Sequence, residues 1–110
     1  MAIKRIWHGW TTLENADGYE AVVRGEVIPG IEAMGIKGYQ GIELLKHTQS
    51  VGSDEQAEVE FLTIMTFDCL DTIVEFQGED YTRAHVPEAA QRYLKRWDSH
   101  AAHYELLDKI

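Results

Sequence analysis

The sequence predicts an α+β domain in which helices cover one face of an antiparallel β-sheet. Strand-like and helix-like segments alternate along the chain, and its 110 residues suffice for a single domain, 1–110, with a modest core. The clearest strand signal is the run from Glu58 to Asp68, which is rich in β-branched and aromatic residues and contains no glycine or proline. Its apolar residues occupy both faces, which predicts the centre of a covered sheet. One face carries Val59, Phe61, Thr63, Met65 and Phe67, and the other carries Leu62 and Ile64.

The first part of the chain predicts a strand followed by a helix. Residues Ile3 to Thr11 form the strand. Alternation directs Ile6, His8 and Trp10 to one side, and Ile3, Arg5 and Trp7 to the other. Apolar residues then follow helical spacing from Ala16 to Val27, and Pro29-Gly30 is expected to kink or end this helix. Ile31-Glu32-Ala33-Met34 could add a last turn before Gly35.

A second strand is predicted from Gly38 to Thr48. Gly41 lies inside it and indicates a β-bulge or a close approach of the backbone. The polar segment from Gln49 to Gln56 predicts a hairpin loop, expected to be the most mobile part of the chain, that leads into the central strand.

The remaining segments predict two helices and a last strand. The first helix runs from Cys69 to Phe76, is capped by Asp68, and turns Leu70, Ile73 and Val74 inward. Pro87 suits the first position of another helix. That helix would present Ala90, Tyr93, Leu94 and Trp97 at spacings of three and four. Ser99 to Leu107 is the final strand and the weakest of the strand signals.

The resulting order, βαββαβ, predicts a ferredoxin-like fold with a four-stranded antiparallel sheet. Helices would cover one face of this sheet, yet Leu62, Ile64, Leu44 and Tyr104 or Leu106 leave neither face clearly polar. An exposed apolar face of this size is unusual in a monomer. We therefore expect a homodimer in which two sheets pack face to face and form a dimeric α/β barrel.

Composition and charge narrow the classes of function. The formal net charge of −9 argues against a nucleic-acid partner and against an anionic membrane surface, since both require basic residues. No apolar run reaches membrane-spanning length, and the N-terminal residues lack the apolar core of a signal peptide, so a cytoplasmic location is expected. The single cysteine, Cys69, excludes an internal disulfide and a cysteine-based metal site.

The chain resembles the antibiotic biosynthesis monooxygenase (ABM) family from about Ile3 to Leu107. The resemblance is carried by Phe61-Leu62-Thr63-Ile64-Met65-Thr66-Phe67-Asp68 with the following Leu70-Asp71-Thr72-Ile73, by Phe76-Gln77-Gly78-Glu79-Asp80-Tyr81, and by His103-Tyr104-Glu105. It implies a dimeric α/β barrel with a pocket between the helices and the sheet of each subunit. The family includes cofactor-free oxygenases of aromatic polyketides, haem-degrading enzymes and proteins of unassigned role, so the resemblance speaks for architecture more than for chemistry.

His85 is the foremost candidate for catalysis, because it follows the second helix and precedes Pro87, where its ring could turn into the pocket. A helix-flanking histidine bonded to backbone or water explains the same residue and is the more ordinary interpretation. Imidazole is a natural base near pH 7 and a good iron ligand. The haem-degrading branch has its axial histidine after a similar helix and turn that ends in Ala-His, as Ala84-His85 does here. That branch also has an asparagine in place of His8 and a tryptophan in place of Phe76, which counts against haem.

His8 is the second candidate base, with Trp10 as an aromatic wall, if their strand face meets the helices. A buried aromatic strand with one satisfied polar group explains the same residues. The remaining expected substrate contacts are Phe76, Tyr81, Phe61 and Met65; Tyr39, Arg83 and Trp97 are weaker candidates to line or gate the pocket. His100 and His103 cannot chelate one metal together if they lie on a strand, because a spacing of three directs them to opposite faces.

Three hypotheses follow. The first is a small-molecule oxygenase without a cofactor, which acts on an aromatic or polyketide-like substrate and uses His85 or His8 for proton transfer. The second fills the same pocket with haem, with His85 as the axial ligand and no other metal. The third is a dimer that binds a small aromatic ligand without catalysis.

Overall fold

The computed structural model describes residues 2–50, 52 and 56–110 as an antiparallel sheet with helices packed on one face. The strands are β1 (Ile3–Thr12), β2 (Tyr39–Lys46), β3 (Glu58–Phe67), β4 (Leu94–Trp97) and β5 (Ala102–Glu105). The helices are α1 (Ala16–Val22), a π-helical turn (Val23–Val27), α2 (Ile28–Ala33), α3 (Leu70–Gln77) and α4 (Glu88–Gln91). None of the helices in these ranges is long and apolar enough to cross a membrane.

The sheet has the predicted ferredoxin-like order. β3 lies between β2 and β1, and the far side of β1 pairs with two short strands, β4 and β5. β5 pairs with the first part of β1, whereas β4 pairs with its last part around Gly9 and Thr11. Two short strands, β4 and β5, thus occupy the place of one edge strand. The sheet does not close into a barrel within this chain.

β1 and β3 form the centre of the fold. They pair along their whole length, from Ile3 opposite Phe67 to Thr12 opposite Glu58. The alternation predicted for β3 is confirmed on its core face, where Val59, Phe61, Met65 and Phe67 are buried. Thr63, the fifth residue predicted on this face, is half-buried and lines a cavity described below.

The bulge predicted at Gly41 is present in β2. Tyr39 lies opposite Phe67, Gly41 opposite Thr66, and the register shifts between them. Gly41 has φ +130°, a conformation that residues with a Cβ rarely adopt. The hairpin loop predicted at 49–56 includes residues 51 and 53–55, which lie outside the described part of the chain.

The first helical run passes through Pro29-Gly30 without a break. A kink or end was expected there, with a possible last turn from Ile31, and helix extends through Pro29 to Ala33. The reason is the π-helical turn at Val23–Val27, after which α2 begins anew, so Pro29 lies in the first turn of α2. A proline is tolerated there because the N–H that it lacks has no intrahelical partner to lose.

Three predictions for the second half of the chain differ from the structure. The helix predicted from Pro87 through Trp97 ends at Gln91, and Leu94–Trp97 is a strand, because β1 offers unpaired backbone groups near Gly9 that this segment satisfies. Leu70, predicted to point inward, is 41% exposed, whereas Phe76 and Ile73 bury the inner side of α3. The last strand is shorter than predicted and covers Ala102–Glu105 only.

The two faces of the sheet differ in cover. Arg5, Trp7, Gly9 and Thr11 are buried beneath the helices, while the residues that alternate with them in β1 lie on the open face. Cross-strand register places the following side chains on that open face: Ile6, His8 and Trp10 of β1, Leu62 and Ile64 of β3, Leu45 of β2 and Tyr104 of β5. Leu44 was expected to share this face, but it lies opposite Thr63 and packs against the core.

Candidate functional site

A small cavity lies between the first helical run and the sheet. Its volume is about 40 Å³. Most of its wall is apolar and includes Trp7, Val23, Val27, Ile31, Ile42 and Met65. Arg5, Thr63 and His85 supply its polar groups. This combination of an apolar wall and a few polar side chains is typical of small-molecule sites.

A wider groove adjoins this inner cavity on the outside of the molecule. Its volume is about 300 Å³, and it lies between the helical run and the segment around Pro87. The groove and the inner cavity share Val27, Ile31, His85 and Pro87. His85 therefore lies at the boundary between them, as a side chain expected to act on a bound ligand should.

The link between α3 and α4 positions His85. Gly78, with φ +96°, ends α3, and the link is then tied to the C-terminal part of the chain by the bond from the Ala84 N–H to the Ser99 carbonyl. The His85 ring lies 5.2 Å from the Phe76 ring, centroid to centroid. His85 remains exposed on the side of the outer groove.

The pKa of His85 is lowered, first by partial removal of its ring from water and second by the positive charge of Arg5. The ordinary pKa is 6.5, so a lowered value leaves the imidazole neutral at pH 7. A neutral imidazole can accept a proton or ligate a metal. The prediction that His85 reaches a pocket agrees with its position; its role in catalysis stays a prediction.

Arg5 anchors a polar network beneath the cavity. It is 3% exposed and donates hydrogen bonds to the carbonyl oxygens of Tyr81 and Arg83, the latter at 2.7 Å. Its Nη1 also lies 3.0 Å from Nε2 of His103. The His103 ring packs edge-on against the Tyr81 ring at 5.4 Å. β1, β5 and the link after α3 thus converge on one guanidinium group.

The predicted aromatic contacts are divided between the cavity and the core. Met65 lines the cavity, and Phe76 lies beside it, in contact with His85 and with Arg5 Cζ 5.5 Å from its ring centroid. Phe61 is fully buried against Tyr19, with ring centroids 4.8 Å apart, and does not line the cavity. Tyr81 contributes its carbonyl oxygen and its contact with His103.

His8 and Trp10 do not reach the cavity. The helices cover the face of β1 that carries Arg5 and Trp7, so strand alternation directs His8 and Trp10 to the opposite, open face. There His8 Nδ1 lies 2.6 Å from a Glu60 carboxylate oxygen. Arg96 stacks over Trp10, with Cζ 3.8 Å from the ring centroid. A catalytic role for His8 would need a separate site on the open face.

Sequence reasoning missed Arg5 and His103 as parts of the site. Arg5 was assigned only to a strand face, and His103 was considered only as half of a metal pair. The available signal was Arg5 itself, a charged residue that shares a strand face with the apolar Ile3 and Trp7. His103 could not be found this way, because only the pairing of β5 with β1 brings it opposite Arg5.

The geometry offers little to a metal ion or to haem. Among residues 2–50, 52 and 56–110, no group of three or more His, Cys, Asp or Glu side chains is placed to hold a metal ion. Pockets that enclose drug-sized ligands have volumes of roughly 300–1,000 Å³, so a haem plane does not fit inside the inner cavity of about 40 Å³. His85 could ligate haem only from the outer groove, with one side of the plane left in water.

Comparisons with known proteins establish the fold. No family model and no curated protein matches the sequence. Among solved structures, the chain is similar to a candidate antibiotic biosynthesis monooxygenase from Bacillus cereus, with a TM-score of 0.66 and 9% identity over 100% of this chain and 95% of that one.

Two further solved structures share the fold. An EthD (ethyl tert-butyl ether) family protein from Bacillus halodurans has a TM-score of 0.59 and 12% identity over 97% of this chain and 100% of that one. A DABB family protein with a ferredoxin-like fold from Mesorhizobium loti has a TM-score of 0.52 and 14% identity over 98% of this chain and 100% of that one. At these identities the likeness shows the architecture alone.

Proposed function

We propose that this chain, which has the fold of ABM-type and DABB-type proteins, is a small-molecule oxygenase that needs no cofactor. The observation that carries the proposal is the position of His85, a neutral imidazole at the boundary between an apolar groove and an inner cavity. The names of the similar proteins support the choice of reaction, since one of them is called a monooxygenase. The substrate would be an aromatic compound with a methylene group whose C–H is made acidic by conjugation with a carbonyl group.

The proposed reaction converts a methylene group into a carbonyl group. His85 Nδ1 or Nε2 takes a proton from the substrate carbon, and the resulting carbanion adds to dioxygen, which gives a peroxide anion. His85 returns the proton, and the hydroperoxide then loses water, so that R₂CH₂ + O₂ becomes R₂C=O + H₂O. Dioxygen accepts all four electrons, so the reaction needs no external reductant. Proton transfer by a positioned base contributes typically about 10²–10⁴ in rate.

The remaining side chains of the site would orient the substrate. Val27 and Ile31 offer apolar contact to an aromatic ring, and Phe76 packs against the His85 ring. The ring of the substrate would occupy the outer groove, because the groove is the wider of the two spaces. Its reacting carbon would lie at the boundary, within reach of His85.

Oxygen uptake by the purified protein tests the proposal. With anthrone as the probe, we expect oxygen consumption and formation of the quinone in air, and a kcat at least about 100-fold lower for His85→Gln. His100→Gln is the matched control, because His100 is exposed and outside both the cavity and the groove. An unchanged rate in His85→Gln would remove His85 from the mechanism.

The pH dependence of the same rate gives a second test. His85 accepts a proton only when it is neutral, and its pKa lies below 6.5. The rate should therefore be level from pH 8 to about 6.5 and fall at lower pH, as the ring becomes protonated. A rate that instead rises on acidification across this window would contradict a role for His85 as base.

Haem binding is the alternative, and hemin titration distinguishes it. If His85 is the axial ligand, the Soret band should shift on binding, and the shift should be lost in His85→Ala. The small inner cavity favours the version without cofactor. Binding of anthrone without oxygen uptake would instead favour a ligand-binding dimer.

The homodimer is part of the proposal. The open face carries Leu62, Ile64 and Ile6, which are only half-buried in the single chain, and Leu45 and Tyr104, which are 41% and 57% exposed. A second copy packed on this face would remove these apolar side chains from water.

A further inference from the structure

The buried guanidinium of Arg5 is a charge that the fold leaves without a counter-ion. Arg5 is 3% exposed, and none of the ion pairs among the described residues includes it. Burial lowers the pKa of Arg5 to about 10, so the group is still a cation at neutral pH. A buried charge is costly unless it is paired and hydrogen-bonded.

The partners that Arg5 does have are neutral. They are the carbonyl oxygens of Tyr81 and Arg83 and the ring nitrogen Nε2 of His103. The pKa of His103 is lowered by removal from water and by Arg5 itself, so this ring is neutral at pH 7 and brings no negative charge. The network therefore holds the guanidinium in place without balancing it.

Hydrogen-bond capacity is also left over. A guanidinium has five N–H groups. Three of them are used, two on Nη1 and one on Nη2. The Nε–H and the second N–H of Nη2 have no partner within the described ranges of the chain. A guanidinium with spare N–H donors can still donate to an anion such as a carboxylate.

Arg5 lines the inner cavity, and the cavity suits a small anionic group. Its volume is about 40 Å³, much less than that of the adjoining groove, and Arg5 lies on the wall of the cavity but not on the wall of the groove. The adjoining groove of about 300 Å³ has apolar walls at Val27, Ile31 and Pro87. A molecule with an acidic end and an apolar body would fill both.

We propose that Arg5 is the anion-binding residue of this site and that the ligand is an aromatic carboxylic acid, with its carboxylate in the inner cavity against Arg5 and its ring in the outer groove. The inference deepens the proposed function, since this acid would be the oxygenase substrate. It can also stand alone, because binding at Arg5 needs no turnover.

Calorimetric titration with a matched pair of probes tests the inference. Benzoate and benzamide have the same shape, but only benzoate carries a charge. At constant ionic strength, wild-type protein should bind benzoate at least tenfold more tightly than benzamide. Arg5→Gln should abolish this preference, and Arg5→Lys, which keeps the charge but loses the planar fork, should retain part of it. Arg24→Gln, a change to an exposed side chain on the first helical run, is the control for net charge and should retain all of it.

The outcomes separate this inference from the proposed function. Equal affinity of wild-type protein for the two probes, no benzoate binding, or a full preference in Arg5→Gln would overturn the inference. If Arg5→Gln does not fold, the wild-type comparison and Arg5→Lys still decide. Benzoate binding that depends on Arg5, with no oxygen uptake from any aromatic acid, would leave the inference standing and remove the oxygenase. Anthrone oxidation that is unaffected by Arg5→Lys, with no preference for benzoate, would do the reverse.

Discussion

Two buried threonine hydroxyls differ in whether they have a partner. Thr11 in β1 is fully buried, and its Oγ1 has no hydrogen-bond partner within the described structure. Thr72 in α3 is also buried, but its hydroxyl donates to the carboxylate of Asp68. This bond is the main cause of the lowered pKa of Asp68. Removing the Thr72 hydroxyl breaks a hydrogen bond, whereas removing the Thr11 hydroxyl breaks none. We therefore expect the two changes to shift the free energy of unfolding in opposite directions.

We expect Thr11→Val to raise the free energy of unfolding by about 1 kcal/mol, because valine removes a buried hydroxyl that has lost its bonds to water. Thr72→Val should lower it by about 1 kcal/mol, because Asp68 loses a donor. Denaturant unfolding of the two variants beside the wild type checks both signs. A loss of stability in Thr11→Val would show that its hydroxyl is satisfied in solution.

At the scale of single residues, the position of His85 beside the pocket could be predicted from the sequence, but the residues around it could not. Its place after a helix and before Pro87 indicated a turn into the pocket. The face of β1 that meets the helices could not be read from alternation, since Trp7 on one face and Trp10 on the other are equally apolar. This ambiguity placed His8 with the candidates and left Arg5 unnoticed.

At the scale of single elements, the bulge in β2 depends on one glycine. Gly41 has φ +130°, and no atom lies within 4 Å of the place that a Cβ would occupy, so a substitution would meet conformational strain and no clash. Gly41→Ala should therefore lower the free energy of unfolding by about 1–2 kcal/mol.

Gly30 provides the matched control for this prediction. It lies in α2, also with open space around it, and its φ is ordinary for a helix. Gly30→Ala should raise the free energy of unfolding by about 0.5–1 kcal/mol through helix propensity. Thermal unfolding of both variants checks the pair, and equal effects would mean that the bulge tolerates a side chain.

Strands with a clear alternation of apolar residues could be predicted from the sequence. Elements whose structure depends on pairing with residues far along the chain could not. β1, β2 and β3 and the bulge at Gly41 follow from local sequence. In contrast, Leu94 and Trp97 have helical spacing, yet pairing with β1 draws them into a strand and leaves Trp97 36% exposed. The π-helical turn that lets Pro29 stay within a helix has no recognised signature in the residues Val23–Val27.

At the scale of the whole molecule, the open face of the sheet should determine the oligomeric state. Leu62→Glu places a charge at the centre of that face and should convert the proposed dimer into a monomer, because a carboxylate would have to be buried against the partner. Sedimentation velocity at micromolar concentration measures this change. Ala21→Glu, on an exposed position of α1, adds the same charge and should leave the dimer intact.

The salt concentration should also shift the equilibrium between monomer and dimer. Each chain has a formal net charge of −9, so the two copies repel each other, and added salt screens that repulsion. The wild-type dimer should therefore tighten as ionic strength rises. A wild-type protein that sediments as a single chain at all salt concentrations would contradict the dimer and the barrel that it forms.

The cavity and the open face lie on opposite sides of one sheet, so the ligand site of each copy would be separate from the contact between the two copies. Each ligand would be enclosed by helices of its own chain, with the whole thickness of a paired sheet between it and the neighbouring copy. Neither copy lends a side chain to the other, and filling one leaves the contacts of the second untouched. Ligand binding by the dimer should thus follow a simple hyperbola, because binding at one site would not change the affinity of the other. Dimerisation would serve the solubility and the shape of the protein and not coupling between its sites.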